Sequence, residues 1–406
     1  MDSVTQLALG AAVGHATGGR QFGRRALLWG AICGTLPDLD VFVPLGDAVR
    51  DFTYHRSASH SLIVLLALSP LIVWLILKLY PDTAEHKRRW FVLVYLTFAT
   101  HVLLDSFTVY GTQIFWPINT TPMTWSTIFI VDPVYTLPLL FGIIAALVST
   151  RHKAWGHKAN TLGLVLSSVY LSWTLVAKLH VEQVAHRALE QQQIDNTQVL
   201  TVPAPLNSLL WRILVVDDTH YHEGFYSVLD EEKNIQFEQY PRSLDLLETL
   251  SNSWPVQRLQ WFTKDFYAAS LNGSSIIITD LRMGTEPEYV FRFKVGDMRD
   301  SHPLAVRVEQ LPGTLNIERL GWVWFRIWDA QAQYPRQKGN QAASLPPPPL
   351  AQQRTLPALD FCNVCATHSK MLQPKPSVMT KGAIQNDFQA IIGNRLIDLH
   401  LPARVP

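Results

Sequence analysis

Residues 61–80 form an apolar run in which Lys78, near one end, is the only Asp, Glu, Lys or Arg. A helix of about 20 such residues rises roughly 30 Å, the thickness of a bilayer's hydrocarbon core. The run predicts a membrane-spanning helix and sets the main division of the chain. Nearly all the other long uncharged stretches also lie before residue 178.

Read in order, residues 3–19 carry no acidic or basic side chain, but Gly10, Gly14, Gly18 and Gly19 interrupt them and His15 lies inside, which suits a short or half-buried helix with His15 packed among its glycines. The apolar run 26–37 ends at Pro37 and meets Asp38-Leu39-Asp40, the pattern of a re-entrant element whose freed backbone is buried in protein. Residues 45–60 read as a polar loop. Further apolar helices are expected at about 90–108, 133–150 and 159–177, with Pro138 a candidate kink. The expectation is an α-helical membrane domain of four or five membrane helices, one of them re-entrant. Met1–Gln6 lacks the basic start of a cleavable signal peptide, so insertion is assigned to the internal segments.

Basic connectors at 20–25, 87–89 and 151–158 alternate with loops at 45–60 and 109–132 that are poor in Lys and Arg. Lys and Arg near segment ends are retained in the cytoplasm. Asp38, Asp40, His55, His60, Asp105 and Asp132 are therefore all expected near the outer face, with His101 one turn deeper. The orientation was fixed by charge alone, and it gathers the chemically capable side chains at one end.

Beyond Lys178 the patterning changes. A polar helix-like segment at 179–195 leads into strand-like runs at 212–216, 226–229, 275–279, 289–293 and 322–325, separated by Gly, Asn and Asp. The domains expected are a membrane-embedded unit at 1–180, a mainly β extramembrane domain at 181–335 on the outer side, and a Pro/Gln-rich disordered tail at 336–406. A net charge of +1 offers no argument for nucleic acid as a partner. Three cysteines do not make a disulfide framework.

His101 and Asp105 are four residues apart, on one face of the expected helix, with Thr97 and Thr108 extending the polar stripe. Such a pair alone is more often a structural hydrogen bond. Asp38, Asp40, His60, His101 and Asp105 together supply oxygen and imidazole ligands, a set suited to zinc, manganese or iron. His55-Arg56-Ser57-Ala58-Ser59-His60 opens an apolar helix, where Arg56 is a candidate clamp for an oxyanion. The alternative has Ser59 capping the helix and Arg56 pairing with headgroups. Asp132-Pro133 reads first as a helix cap, with a catalytic role the lesser option. Asp217 to Glu223 is a second candidate metal segment, though a solvated turn fits it better. Cys362, Cys365 and His368 lack a second ligand pair at zinc-finger spacing.

Three ordered motifs, Leu36-Pro37-Asp38-Leu39-Asp40, His55-Arg56-Ser57-Ala58-Ser59-His60-Ser61-Leu62 and Thr100-His101-Val102-Leu103-Leu104-Asp105, the last followed by Gly111 and Phe115-Trp116-Pro117, resemble the YdjM-like family of inner-membrane-associated metal-dependent hydrolases of bacteria. The resemblance covers roughly residues 1–180. More distantly it extends to helical zinc-dependent phospholipases C and single-strand nucleases, in which HxxxD supplies metal ligands. It implies a multi-pass inner-membrane protein, metal roles for Asp38, Asp40, His60, His101 and Asp105, and a supporting role for His55. Relatives carry Thr-His where this chain has Thr5-Gln6; glutamine is a poor transition-metal ligand, so the departure marks a reduced metal complement or an altered subgroup.

The function expected is hydrolysis, by metal-activated water, of a phosphoester in a lipid or other amphiphilic envelope component, with His55, Arg56 and Asp132 as catalytic candidates. The competing expectations are a membrane scaffold or regulator whose His/Asp cluster is structural, and an ion-coupled transporter.

Overall fold

The computed structural model describes residues 1–149, 154–194, 198–232, 234–300, 302–313 and 317–332. The expected tail, with Cys362, Cys365 and His368, lies outside them. Two helices open the chain, α1 (Ser3–Phe22) and α2 (Arg24–Thr35). They pack backbone to backbone: a Cβ on Gly10 would sit 2.3 Å from the Gly30 carbonyl oxygen, and one on Gly14 2.4 Å from that of Ala26. The glycines that interrupt the apolar run are thus its packing surface, as in small-residue contacts between membrane helices.

A 3-10 turn, Pro37–Phe42, follows α2 and leads to α3 (Ala48–Tyr54) within the segment read as a polar loop. A second such turn, Ala58–His60, precedes α4 (Leu62–Leu79). Ser61, not Ser59, caps α4, accepting from the Val64 amide at 3.4 Å. Next come α5 (Lys87–Ser106), α6 (Pro133–Val148) and α7 (Ala154–Gln192). Four or five membrane segments were expected; among the described residues two helices, α4 and α7, are long and apolar enough to cross a bilayer, and α6 is a shorter apolar helix. Leu66, Leu71 and Trp74 of α4 are exposed although large and apolar, the pattern of a face turned to lipid.

The 39-residue α7 crosses the expected domain boundary without a break. Its first half exposes Leu162, Val165 and Val169, whereas Val181, Val184 and Ala188 are buried against Trp211, Ile213 and Tyr226. The strands begin there. β1 (Gln198–Pro203), β2 (Leu210–Val216), β3 (His220–Ser227) and β4 (Phe237–Pro241) form an antiparallel sheet in chain order. After α8 (Trp254–Thr263) come β5 (Tyr267–Asn272) and β6 (Ser275–Asp280), a short hairpin of β7 (Gly284–Thr285) and β8 (Glu288–Tyr289), then β9 (Arg292–Arg299) and β10 (His302–Leu311). The second four-stranded sheet runs β10-β9-β6-β5.

The expected strand at 322–325 is a helix, α9 (Ile317–Trp328). Four consecutive bulky residues score equally well as buried strand or helix. The helical alternative places Trp322 and Ile327 on one buried side.

The β region rests on the loops that flank the expected site. Val49, Phe52, Val109 and Tyr110 share one buried cluster with Val256, Phe262 and Phe293. Polar ties run beside it: Arg258 Nε donates to Thr53 Oγ1 (3.0 Å), Arg282 Nη1 to the Tyr110 carbonyl (3.2 Å) and Lys264 Nζ to Thr124 Oγ1 (3.2 Å).

Candidate metal centre

Four side chains from three separate parts of the chain converge. The turn after α2 carries Asp38, the turn before α4 carries His60, and α5 carries His101 and Asp105 one helical turn apart. One ligand atom from each lies within 4.8 Å of all the others. His60 Nε2 is 3.2 Å from Asp38 Oδ1, 3.2 Å from His101 Nε2 and 3.1 Å from Asp105 Oδ2. His101 Nε2 is 3.6 Å from Asp38 Oδ1 and 3.5 Å from Asp105 Oδ2. Metal bonds of about 2.0–2.2 Å put tetrahedral ligands roughly 3.3–3.6 Å apart. These five separations lie close to those values, so the cluster could hold one cation.

The tautomers, assigned from hydrogen-bond partners, strengthen the fit. His101 Nδ1 lies 2.7 Å from the Gly34 carbonyl, which only accepts, so the ring proton belongs on Nδ1. Ser59 Oγ donates to the Asp40 carboxylate, leaving its oxygen to accept from His60 Nδ1 at 2.9 Å. In the neutral tautomers that these contacts select, both Nε2 lone pairs would face each other and two carboxylates. Asp105 Oδ2 is buried; among the described residues it meets His60, His101 and Arg56 as ion-pair neighbours and has no assigned hydrogen-bond donor. Such a gathering of acceptors is satisfied by a cation, and the Nδ1 partners are the outer contacts that hold metal-binding histidines in place.

Asp40 stands outside this group. Its carboxylate is taken up by His55 Nδ1 (2.8 Å), the Arg56 amide (3.1 Å) and Ser59 Oγ, and its Oδ2 is 3.9 Å from His60 Nδ1. Burial alone would raise the Asp40 carboxyl, but the hydrogen bond and charge of His55, together with His60 and Ser59, hold it at about 2. The structure thus makes Asp40 the organiser of the His55–His60 turn, where a metal ligand was expected. Arg56 within that turn has a left-handed backbone, φ 63°. The turn turns its guanidinium inward: Nε lies 3.5 Å from Asp105 Oδ2 without a hydrogen bond, Nη1 donates to Thr108 Oγ1 (3.2 Å), and the group stacks on the Tyr110 ring.

Asp132 is not brought to the cluster. It caps α6, accepting from the Val134 and Tyr135 amides, and takes a hydrogen bond from the Tyr170 hydroxyl at 2.7 Å. His15 is buried among the glycines, as expected. Asp217 Oδ1 accepts from the Thr219 and His220 amides, which is the turn reading of that segment. Three further groups complete the surroundings, and two of them, the Met1 amino group and the Gly34 carbonyl, escaped the sequence reading. Gln6 Nε2 donates to Asp105 Oδ1 (2.9 Å), the Met1 amino group contacts the same oxygen, and the Gly34 carbonyl holds His101. Gln6 and Met1 occupy Oδ1, so Oδ2 alone faces the cluster. Of the three, only Gln6 was visible as a candidate, by its place in the Thr5-Gln6 motif.

Fold and site together define a helical N-terminal region, with two helices apolar enough to cross a membrane, that carries a two-histidine, two-aspartate cluster and is followed by a β-rich region. No curated protein and no solved structure matches the chain. Residues 1–181 match the family model described as YdjM inner membrane protein, which supports the YdjM-like resemblance of this part of the chain. The matched residues contain all four side chains of the centre.

Proposed function

We propose that the protein is a membrane-bound, metal-dependent hydrolase acting on a phosphoester of an amphiphilic substrate. The observation that carries this reading is the convergence of His60 Nε2, His101 Nε2 and one oxygen each of Asp38 and Asp105 within 4.8 Å of one another, with the Asp105 carboxylate fully buried. His60, His101, Asp38 and Asp105 would hold the ion, and the neutral imidazole and carboxylate donors favour zinc, with manganese or iron next. A bound ion in such a site supplies water of lowered pKa and neutralises charge on a phosphoryl oxygen.

This chain's own groups supply the rest. The Arg56 guanidinium lies beside Asp105, its Nε 3.5 Å from Oδ2 and without a hydrogen bond, placed to meet an oxyanion as charge builds on it. His55, held by Asp40 and partly exposed, is the group placed to carry a proton at the rim. Asp38 is 18% exposed while the other three side chains are buried, which marks its side as the entrance. Beside it the turn exposes Leu39, Val41 and Phe42, the last at 79%. An apolar lip next to a polar, cation-binding centre suits a substrate with both a phosphoester and an acyl or isoprenoid tail.

The full membrane arrangement belongs to the same proposal: four or five membrane segments in the bacterial inner membrane, with centre and β region on the outer face. It is supported by the family match, the two apolar helices and the alternation of basic connectors. The test is turnover by full-length protein in nanodiscs, loaded with zinc or manganese, on a short-chain phospholipid and a nitrophenyl phosphodiester. Hydrolysis abolished by chelation and by His101→Ala supports the proposal. Absence of hydrolysis in the loaded protein, or equal hydrolysis in His101→Ala, refutes it and leaves a structural polar cluster.

A further inference from the structure

We propose that α9 is an interfacial helix whose exposed aromatic stripe lies in the headgroup region of the membrane leaflet on the β region's side. Gly321, Trp324, Phe325 and Trp328 recur at i, i+3, i+4 and i+7, one face of the helix. The three aromatic residues are 62%, 68% and 65% exposed. On the other side, the described residues of α9 pack on the β region. Trp322 and Ile327 pack on Ala204 and Leu210, Ser227 Oγ donates to the Ile327 carbonyl (2.9 Å), and Arg326 pairs with Asp230 at 2.9 Å. The helix is therefore apolar on two sides, and a surface helix in water keeps one side polar. Its second side calls for a second apolar phase.

Position identifies that phase. The segment on which α9 sits, Ala204 to Leu210, is tied to α7 at Ser208, whose Oγ accepts from Trp173 Nε1 (3.2 Å) and lies 2.9 Å from the Tyr170 hydroxyl. These two aromatic residues fall between Val169 and Leu179, both 61% exposed, in the apolar part of a helix long enough to span a membrane. Seven residues of chain thus fix α9 at the depth where α7 still shows lipid-compatible side chains and its own Trp and Tyr. Trp and Tyr collect at that depth because the ring is apolar and its polar edge meets the headgroups. A helix with Trp and Phe on its free face binds there by burying them several ångströms into the acyl boundary. The inference rests on the membrane placement of α7 and is independent of whether the centre hydrolyses anything.

The test uses full-length protein lacking Cys362 and Cys365, with Cys33 left in its buried place, in nanodiscs of phosphatidylethanolamine and phosphatidylglycerol. Nitroxide is attached singly at Phe325→Cys and Trp328→Cys, with Val169→Cys as the lipid reference and Leu271→Cys, on the second sheet, as the water reference. The expected result is an oxygen-to-nickel collision ratio at 325 and 328 several-fold above that at 271 and approaching that at 169. A ratio equal to that at 271 overturns the proposal. A high ratio that vanishes when the chain ends after residue 332 also overturns it, because the tail then covers α9. So does spin–spin broadening relieved by dilution with unlabelled protein, which shows a second copy on the stripe. Trp324→Cys repeats the measurement should either first position disturb folding.

Discussion

Gly30→Ala tests the link between helix packing and the candidate metal centre. A Cβ at this position would lie 2.2 Å from the Gly10 carbonyl oxygen and 3.0 Å from the Gly14 Cα. Backbone atoms cannot swing aside, so α1 and α2 must separate by about 1 Å to reach ordinary contact, an overpacking that costs about 1–3 kcal/mol. Gly34 is one turn further along α2, and its carbonyl is 2.7 Å from His101 Nδ1. The same displacement carries that contact to roughly 3.7 Å, beyond a hydrogen bond. Loss of an outer partner of a metal-binding histidine weakens metal affinity about 10–100-fold. Competition with a fluorescent chelator, at constant helical circular dichroism, reads the affinity. Gly163→Ala, whose Cβ would sit 2.4 Å from the Pro138 carbonyl oxygen between α6 and α7, is the control that should lose stability but keep affinity. If Gly30→Ala binds metal as tightly as wild type, or Gly163→Ala loses as much, His101 is not held through α2.

The other side chains around the centre give separable outcomes. Arg56→Lys keeps the charge and loses the planar donor; it should lower turnover on a phosphodiester about 100-fold with metal content unchanged, and a parallel loss of metal would make Arg56 structural. Asp40→Asn removes the charge and leaves one acceptor oxygen where two take His55 on one side and the Arg56 amide and Ser59 on the other. It should weaken metal binding about tenfold or more, as read by the same chelator titration, whereas retained affinity would show that the turn holds its shape without Asp40. Phe262→Ala, in the fully buried cluster joining the β region to Phe52 and Tyr110, should lower stability by about 3–5 kcal/mol. Limited proteolysis would then cut the loops of the β region sooner, and an unchanged cleavage rate would exclude that cluster as the joint.

How much of this was legible in the sequence follows from the range of the forces involved. The run of residues 61–80 declares its helix locally, because hydropathy and length are properties of one segment. The pair His101 and Asp105 was legible for the same reason, since helical periodicity alone puts them on one face. Asp38 and His60 came from grouping by loop charge, and the structure does bring them within reach of that pair. Asp40 resembles Asp38 in every local respect; only the position of Ser59 and His55 across the turn separates an organiser from a ligand. The Gly34 carbonyl could not be read at all, because every residue has one and only the close approach of α1 and α2 aims this one. The aromatic run at 322–325 went wrong for another reason. Bulky residues on both sides of a helix erase the periodicity that separates it from a strand, and here the second side is left exposed.

The central claim is that His60, His101, Asp38 and Asp105 hold a cation, and metal analysis of the full-length protein tests it most directly. Purified without chelator, wild type should carry stoichiometric zinc, manganese or iron, and a folded His60→Ala/His101→Ala variant should carry almost none. A wild-type protein without stoichiometric metal, or a double variant that retains it, would contradict the account.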